Sequence, residues 1–201
     1  MTDSSDAQFW EDTYETGEFL NHWDYQFPSQ ELVAVVAFQI PKQDATVLDI
    51  GCGAGREAIF LAQCGFHVVA VDISAKAIEI ARERAAHDGV DVDWRQGSFF
   101  DLPVDDSSID FINDRGALHL VPESNRPRFA AEVKRVLKAG GSAFIRGASV
   151  DASEEHFTPI TPESIDAHFR PDDFSHGPLL PITLVSDGGT LDATIVVLRK
   201  R

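Results

Sequence analysis

The sequence predicts a doubly wound α/β fold, with a seven-stranded, mostly parallel sheet that ends in a C-terminal antiparallel hairpin. Three observations carry this prediction. From residue 46 onward, apolar strand-like runs alternate with helical segments, a pattern typical of a parallel sheet covered on both faces. A glycine-rich turn, residues 51–55, directly follows the first run. Near the end, residues 187–190 read Asp-Gly-Gly-Thr between two apolar runs, and strands joined so tightly must be antiparallel.

The first forty residues precede this alternation and are predicted to form a helical lid. Residues 2–18 are polar and acidic with aromatic residues interleaved, which indicates a short surface helix. The pair Pro28-Ser29 starts a second helix, which ends before Pro41. We expect a single domain of residues 1–201, in which the lid covers a core formed by residues 41–201.

The core elements follow from apolar runs and from helix end signals. Ser74 is a typical N-cap residue, and glycines at 65, 89 and 140 are typical helix stops. The predicted strands are residues 46–50, 67–73, 91–95, 109–113, 142–146, 180–186 and 191–198. The predicted helices between them are residues 56–64, 75–87, 126–138 and 161–169.

The charge balance is strongly acidic, with 33 Asp and Glu residues against 17 Lys and Arg residues and a formal net charge of -16. The negative electrostatic potential that this charge creates repels nucleic acid and anionic membranes, so we expect neither as a partner. Asp far outnumbers Lys, and Arg exceeds Lys, which favours a halophilic origin over an ordinary acidic mesophilic protein. No basic leader or long apolar run is found, so we expect a cytoplasmic protein.

The cysteines and histidines predict no metal site. Two cysteines, Cys52 and Cys64, cannot supply four ligands, and the seven histidines contain no closely spaced pair. Both cysteines are expected to be buried free thiols.

The glycine turn carries the main functional signal. Gly51, Gly53 and Gly55 allow positive φ angles and close approach of a ligand to the backbone. A dinucleotide motif would place its third glycine where this chain has Arg56. Asp49, two residues before the turn, would repel a pyrophosphate but attract an ammonium group. The turn therefore predicts a nucleoside ligand that carries an amino acid, although Asp49 could also be a strand-end residue satisfied by the backbone.

A second acidic residue, Asp72, ends the next predicted strand, 21 positions after Gly51. Doubly wound folds place at this point the acid that binds a ribose diol. Together, V-L-D-I-G-C-G-A-G and V-D-I-S resemble the S-adenosylmethionine (AdoMet) motifs of class I methyltransferases. The resemblance implies AdoMet as the cofactor and a Rossmann-like fold with the terminal hairpin.

The same resemblance implies which loops hold the cofactor. The amides of the glycine turn should face the methionine part, and Ile73 should lie against the adenine. Ser98, at a position where the family usually has an acid, could accept from the adenine amino group, and the Phe99 amide could donate to the ring. The expected cofactor-binding residues are Trp23, Asp49, Gly51, Cys52, Gly53, Gly55, Arg56, Asp72, Ile73, Ser98, Phe99 and Asp114.

Further motifs resemble the thiopurine and tellurite-resistance branch of small-molecule methyltransferases. They are W-E-D-T-Y near the start, W-D followed by P-S-Q-E-L, and D-R-G-A-L after the fourth strand. By this resemblance Trp23 lies over the cofactor, Asp114 closes its methionine end and Arg115 faces the acceptor. Arg115 could instead pair with Asp114 or Glu57.

One residue in this region is a candidate general base. His119 follows Arg115 by one helical turn and titrates near working pH, although packing as a neutral core residue is an equally good interpretation. Arg146 is expected to point towards the pocket mouth, with His156 and Phe157 as possible rim residues.

The sequence thus predicts a methyltransferase that acts on a small-molecule acceptor, as a monomer or weak homodimer. Arg115 and His119 are the candidate catalytic residues, and a thiolate acceptor would need no base. Two alternatives remain open at this point: a non-catalytic AdoMet-binding protein and a nicotinamide-dependent enzyme. The sequence does not identify the acceptor, because the acceptor is selected by the side chains of the pocket rather than by the fold.

Overall fold

The computed structural model describes residues 4–38, 41–152 and 157–201, which form six α-helices and eight strands. The strands are β1 (Thr46–Ile50), β2 (His67–Asp72), β3 (Asp93–Gln96), β4 (Ile109–Arg115), β5 (Leu137–Ala148), β6 (Phe174–His176), β7 (Leu180–Ser186) and β8 (Gly189–Lys200). The helices are α1 (Ser4–Thr16), α2 (Gln30–Ala37), α3 (Arg56–Gln63), α4 (Ala75–Asp88), α5 (Arg126–Val136) and α6 (Pro162–His168). Short 3₁₀ turns cover Glu18–Asn21, Leu118–Leu120 and Glu123–Asn125.

All eight strands belong to one sheet, in the order β3-β2-β1-β4-β5-β8-β6, and β7 also pairs with β8. Strands β1 to β5 are mutually parallel, whereas β8 is antiparallel to β5, β6 and β7. The doubly wound, mostly parallel sheet and the C-terminal hairpin are therefore confirmed. Because the chain runs outward from β1 on one side and from β4 on the other, the switch point lies between these two strands.

Three predicted details were wrong. The sheet has eight strands rather than seven, because the short segment Phe174–His176 pairs with the end of β8. β5 begins at Leu137 rather than at residue 142, and α5 accordingly ends at Val136 instead of residue 138. The glycines at 140 and 141 lie inside β5, where Gly140 takes a φ of +77°. They mark an irregular stretch of strand rather than a helix stop.

Two apolar cores cover the two faces of the sheet, as the alternation of strand residues requires. Val47, Phe111 and Phe144 face one core with α2 and α3. Their neighbours Leu48, Ile112 and Ile145 face the other core, together with residues of α5 and α6. A third, smaller cluster joins Tyr14 and Phe19 of the N-terminal segment to Ala54 and Ala77.

The helix ends explain how the N-terminal segment is attached. Ser74 caps α4 as predicted, since its hydroxyl accepts from the Ala77 amide at 3.0 Å. The Glu11 carboxylate of α1 accepts from the Ser74 hydroxyl at 2.7 Å and from the Lys76 amide at 3.2 Å. The acidic side chain thus meets the positive end of the α4 dipole, which fixes α1 over the start of that helix. Within the described ranges, no helix has the length and apolar character needed to span a membrane.

Candidate functional site

The carboxyl ends of β1, β2 and β4 bring most of the predicted residues to one edge of the sheet. In the register of the sheet, Asp49 lies beside Ala70 of β2 and Asn113 of β4. The Gly51 and Cys52 amides both donate to the Val71 carbonyl, at 2.9 and 3.0 Å, and bend the chain over the end of β2. In open α/β sheets this switch-point edge is where ligands bind.

The glycine turn takes the left-handed conformations that its sequence predicts. Gly51, Gly53 and Gly55 have φ angles of +65°, +51° and +84°. A Cβ on Gly53 would overlap the Tyr14 hydroxyl, and one on Gly55 would lie 2.6 Å from Trp94. Glycine is therefore required both by the backbone and by the close approach of Tyr14 from the lid and Trp94 from β3.

Asp72 is held at the turn by backbone amides. Its carboxylate accepts from the Gly53 amide at 2.8 Å and from the Ser74 amide at 2.9 Å. Burial raises the pKa of Asp72, and these amide hydrogen bonds oppose that rise. Because each carboxylate oxygen has a second lone pair, Asp72 can still accept from a ligand hydroxyl.

Asp49 is buried beside a cluster of charged side chains that the sequence does not reveal. Asn113 donates to Asp49 at 2.7 Å and to Glu57 at 2.8 Å. Burial and the negative charge of Glu57 raise the pKa of Asp49 from 3.8 to about 8, against the opposing effects of Asn113 and Arg146. Asp49 is thus a carboxylate whose ionised form needs a further cation.

Arg146 supplies the charge that balances Glu57. Its guanidinium donates to the Glu57 carboxylate at 2.7 and 3.1 Å, to the Ser29 hydroxyl at 2.6 Å and to the Asn113 carbonyl. Burial alone would raise the pKa of Glu57, but Arg146, Arg115 and Ser29 lower it to about 2. The prediction that Arg146 points towards the pocket mouth is wrong, because its side chain is 0% exposed and paired with Glu57.

Asp114 is fully buried and caps the 3₁₀ turn that follows β4. Its carboxylate accepts from the Ala117 amide at 2.7 Å and the Leu118 amide at 3.2 Å. Burial raises the pKa of Asp114 to about 7 despite these hydrogen bonds and the positive charge of Arg146. In the sheet register, Asp114 lies beside Ile50, the last residue of β1.

Arg115 links three parts of the molecule. Its guanidinium stacks 4.0 Å from the centre of the Tyr25 ring, and Nη2 donates to the Val185 carbonyl of β7 at 2.6 Å. Its Nε lies 3.9 Å from the Glu57 carboxylate. The pairing with Glu57 weighed from the sequence is thus present at long range, whereas Asp114 binds the backbone instead.

His119 has a defined tautomer. The Ala148 amide donates to Nδ1 at 2.9 Å, so the neutral imidazole carries its proton on Nε2. The ring stacks on Phe157 with 4.1 Å between centres. For His119 to act as a base through Nδ1, the Ala148 hydrogen bond would have to break. His156, the other rim residue expected beside Phe157, lies outside the described residues.

The lid is held together by contacts among its own aromatic residues and is attached to the core through Asp24. Trp23 donates to the Tyr14 hydroxyl at 3.1 Å and packs edge-on against Trp10. Asp24 is buried and receives two hydrogen bonds from Arg84 of α4, at 2.8 and 2.9 Å, while Arg56 of the glycine turn lies 3.9 Å away.

The remaining predicted residues lie along the ends of β2 and β3. Ile73 is half-buried, and its carbonyl accepts from Gln96 at 3.1 Å. The Ser98 hydroxyl accepts from the Phe100 amide at 3.1 Å, and the half-buried Phe99 ring packs on Phe100 and Phe129.

Both cysteines are free, but neither is fully buried as predicted. Cys52 is half-buried in the turn and Cys64 is exposed. The error at Cys64 has a simple cause, since this residue follows the last turn of α3, where the helix leaves the apolar core.

Four residues of this edge were not singled out for the site from the sequence: Tyr14, Tyr25, Glu57 and Asn113. For Asn113 and Glu57 the signal is a polar residue within an apolar pattern, in I-D-F-I-N-D and at the start of the apolar helix α3. Burial without a partner would be costly at such positions, so each predicts a polar contact inside the fold. Tyr14 and Tyr25 lie among polar residues and carry no such signal.

The buried carboxyls predict an unusual dependence of stability on pH in the ligand-free protein. Asp49 and Asp114 have pKa values raised to about 8 and about 7, so their ionisation destabilises the fold, and this cost disappears as the pH falls from about 8 towards 4. Glu57 has a pKa lowered to about 2, so its contribution is complete above 4.5 and is lost below it. We expect the free energy of unfolding to peak near pH 4, where the cost of the two aspartates has disappeared and the contribution of Glu57 begins to be lost.

Urea unfolding at a series of pH values in molar potassium chloride checks this profile, because the salt screens the general repulsion among surface carboxylates. Asp49→Asn removes one of the ionising groups and should flatten the slope between about pH 5 and pH 8, which can reach about 1.4 kcal/mol per pH unit for one proton. An unchanged slope in that variant would contradict the assignment to Asp49.

Comparisons with known proteins agree with this geometry. The model of a methyltransferase domain family matches residues 47–141. An uncharacterized methyltransferase of Schizosaccharomyces pombe is 31% identical over 111 residues, which cover 55% of this chain and 77% of that protein.

Two solved structures share the fold over most of the chain. A SAM-dependent methyltransferase of Methanosarcina mazei superposes with a TM-score of 0.73 at 20% identity, covering 87% of this chain and 99% of the other. Magnesium protoporphyrin IX methyltransferase of Synechocystis PCC 6803, solved with bound SAH, superposes with a TM-score of 0.74 at 15% identity, covering 96% and 99%.

Proposed function

The chain belongs to the AdoMet-dependent methyltransferases, and on this premise we propose that it transfers the AdoMet methyl group to a small-molecule acceptor by in-line displacement. The observation that carries this proposal is Asp49, a buried carboxylate at the end of β1 whose pKa is raised to about 8. Among the described residues, Asn113 is the one side chain that donates a hydrogen bond to it. A ligand ammonium group would supply the missing positive charge.

The amino acid and ribose parts of AdoMet are assigned to the edge formed by β1, β2 and β4. Asp49 would bind the ammonium group, and the left-handed turn Gly51–Gly55 with Cys52 and Arg56 would face the methionine part. Asp114 would close that end. Asp72 would accept from the ribose hydroxyls through lone pairs that its two amide donors do not use.

The adenine is assigned to the ends of β2 and β3. Ile73 would lie against one face of the ring, and Ser98 with the Phe99 amide would contact its edge. All three residues are half-buried, so a flat ring can cover them and remove their remaining apolar surface from water.

The lid would exclude water from the reacting atoms. Trp23 is proposed to lie over the cofactor, where its hydrogen bond to Tyr14 and the buried Asp24–Arg84 pair fix the closed position. AdoMet supplies an activated methyl group on a sulfonium, so the protein mainly has to orient the acceptor and exclude water from it. Such positioning can lower a barrier by about 7–11 kcal/mol.

The acceptor is assigned to the space near Arg115 and His119. Arg115 would orient an anionic acceptor, since its guanidinium is already desolvated on the Tyr25 ring and held by the Val185 carbonyl. His119 would donate a hydrogen bond to the acceptor from its protonated Nε2, because the Ala148 amide occupies Nδ1. We also propose membership of the thiopurine and tellurite-resistance branch, on the lid and D-R-G-A-L motifs.

Turnover with a panel of thiols, phenols, amines and metalloid anions tests the proposal. We expect S-adenosylhomocysteine (AdoHcy) to accumulate with at least one acceptor, and Arg115→Met to raise KM for an anionic acceptor about tenfold or more. Cofactor binding without transfer to any acceptor in the panel would instead favour the non-catalytic interpretation.

We propose that the acidic composition reflects function in high salt. We also propose that residues 1–201 act as a single cytoplasmic domain, either monomeric or weakly dimeric. With a formal charge of -16, like charges repel one another in dilute buffer, and salt screens that repulsion. We expect the melting temperature to rise between dilute and molar potassium chloride. Sucrose, which stabilises without screening, is the control. A melting temperature unaffected by molar salt would count against the halophilic interpretation.

A further inference from the structure

Asn113 occupies the centre of the buried cluster, where both of its amide protons and its carbonyl oxygen are hydrogen-bonded. Its Nδ2 donates one proton to Asp49 at 2.7 Å and one to Glu57 at 2.8 Å. Its Oδ1 accepts from Nη2 of Arg146. Asn113 therefore connects the carboxylate assigned to the cofactor with the ion pair that the sheet buries.

The orientation of this amide follows from its neighbours. Arg146 can only donate and Glu57, with its lowered pKa, can only accept. The amide oxygen must therefore face Arg146, and the amide nitrogen must face the two carboxylates. Arg146 is itself fixed by two hydrogen bonds to Glu57 and one to Ser29. The direction of the Asn113–Asp49 hydrogen bond is thus set by Arg146, Glu57 and Ser29, none of which is assigned a contact with the cofactor.

This hydrogen bond has a consequence for Asp49. The donor engages Oδ1, which fixes the rotation of the carboxyl group and leaves Oδ2 for another partner. The charged groups around Asp49 are Glu57 on α3, Asp114 on β4 and Arg146 on β5. Two of these three are negative, so Asp49 depends on a neutral donor to hold its ionised form.

We propose that Asn113 is a positioning residue for cofactor binding: anchored by the Glu57–Arg146 pair, it turns Asp49 to receive the ammonium group of AdoMet and favours the ionised form of that carboxylate. This inference rests on the proposed role of Asp49. Asn113 acts through Asp49 and has no contact of its own with the ligand in this proposal. The amino acid part of the ligand should therefore depend on Asn113, and the nucleoside part should not.

Calorimetric titration with two ligands tests this dependence. AdoHcy carries the amino acid, whereas 5′-methylthioadenosine has the same nucleoside and thioether without it. For Asn113→Leu, which keeps the side-chain volume and removes the donor, we expect AdoHcy affinity to fall about tenfold or more. Affinity for methylthioadenosine should stay within about twofold, and its retention also shows that the variant is folded. Asn125→Leu, whose amide makes no capping bond at the start of α5, is the matched control and should resemble the parent protein.

A pH series separates positioning from a merely structural role. In the parent protein AdoHcy affinity should rise as Asp49 ionises towards pH 8. In Asn113→Leu the midpoint should move to higher pH, because the ionised carboxylate has lost its donor. The series stays below the pH at which the ligand amine loses its proton, and methylthioadenosine should show no such dependence.

A milder variant covers the case in which Asn113→Leu does not fold. Ser29→Ala removes the hydroxyl beside Arg146 and Glu57, and we expect a several-fold loss for AdoHcy alone. Equal losses for both ligands in the folded variants, or an unmoved pH midpoint, would overturn the inference. The Asp49→Asn variant separates a failure of the proposed role of Asp49 from a failure of the role of Asn113. If Asp49→Asn binds AdoHcy normally, the role of Asp49 itself is refuted. If Asp49→Asn binds AdoHcy weakly and Asn113→Leu binds it normally, only the role of Asn113 is refuted.

Discussion

Replacing Arg146 by methionine is expected to lower the free energy of unfolding by about 3–5 kcal/mol. The guanidinium is 0% exposed and supplies the positive charge for Glu57, which is itself 3% exposed. Without Arg146, the buried Glu57 carboxylate would lose its hydrogen-bonded cation and keep the long-range pairing with Arg115 at 3.9 Å. Two further hydrogen bonds, to Ser29 and Asn113, would also be lost. Since domains of this size are stable by about 5–15 kcal/mol, urea unfolding would show a large shift of the midpoint.

Two comparisons show whether the loss comes from the buried charge. Lys134→Met removes a half-exposed partner of Asp173 and should cost no more than about 1 kcal/mol. The double variant Glu57→Leu with Arg146→Met removes both charges and should recover much of the loss, because replacing a whole buried pair by apolar groups is often nearly neutral. A single variant no less stable than Lys134→Met would show that Glu57 does not need Arg146.

Replacing Gly188 by alanine is expected to detach the lid. A Cβ at Gly188 would overlap the Asn21 carbonyl oxygen and lie 2.5 Å from that of His22, and backbone cannot move aside as a side-chain tip can. The hairpin turn would have to separate from residues 21–24, which breaks the hydrogen bond from the Asp187 amide to the Asp24 carbonyl at 2.9 Å. If the lid then closes in about a tenth of the molecules, apparent cofactor affinity falls about tenfold.

Limited proteolysis and AdoHcy titration measure the two consequences separately. Cleavage between residues 16 and 30 should become faster, while the core should resist as before. Gly177→Ala is the matched control, since a Cβ there meets no atom within 4 Å and its backbone is not left-handed. Equal cleavage rates for the two alanine variants would mean that the hairpin does not hold the lid.

The fold could be predicted because its signals are local. Three signals depend on residues close in sequence: the alternation of apolar runs and helices, the Ser74 cap and the glycine turn. The observed helices and strands agree with these signals. The misses have long-range causes. β6 consists of three residues, Phe174–His176, and forms because β8 extends far enough to pair with it. β5 starts early because its first residue pairs with Ile109 across a bulge in the sheet.

The candidate site could be predicted only in part, for the same reason. Asp49, Asp72 and the glycines lie in motifs whose spacing can be read along the chain. The pairing of Glu57 with Arg146 joins residues that are 89 positions apart, and Asn113 joins both to Asp49. From its place at the end of an apolar strand, Arg146 is predicted to be a pocket residue. In the fold it is buried as the counterion of Glu57.

The most direct test of the account is a crystal structure of the protein with AdoHcy bound. It should show the ligand ammonium within hydrogen-bonding distance of Asp49, the ribose hydroxyls on Asp72 and the Asn113 amide still directed at Asp49. A ligand whose amino acid lies away from Asp49, or whose nucleoside lies outside the edge formed by β1, β2 and β4, would contradict the account.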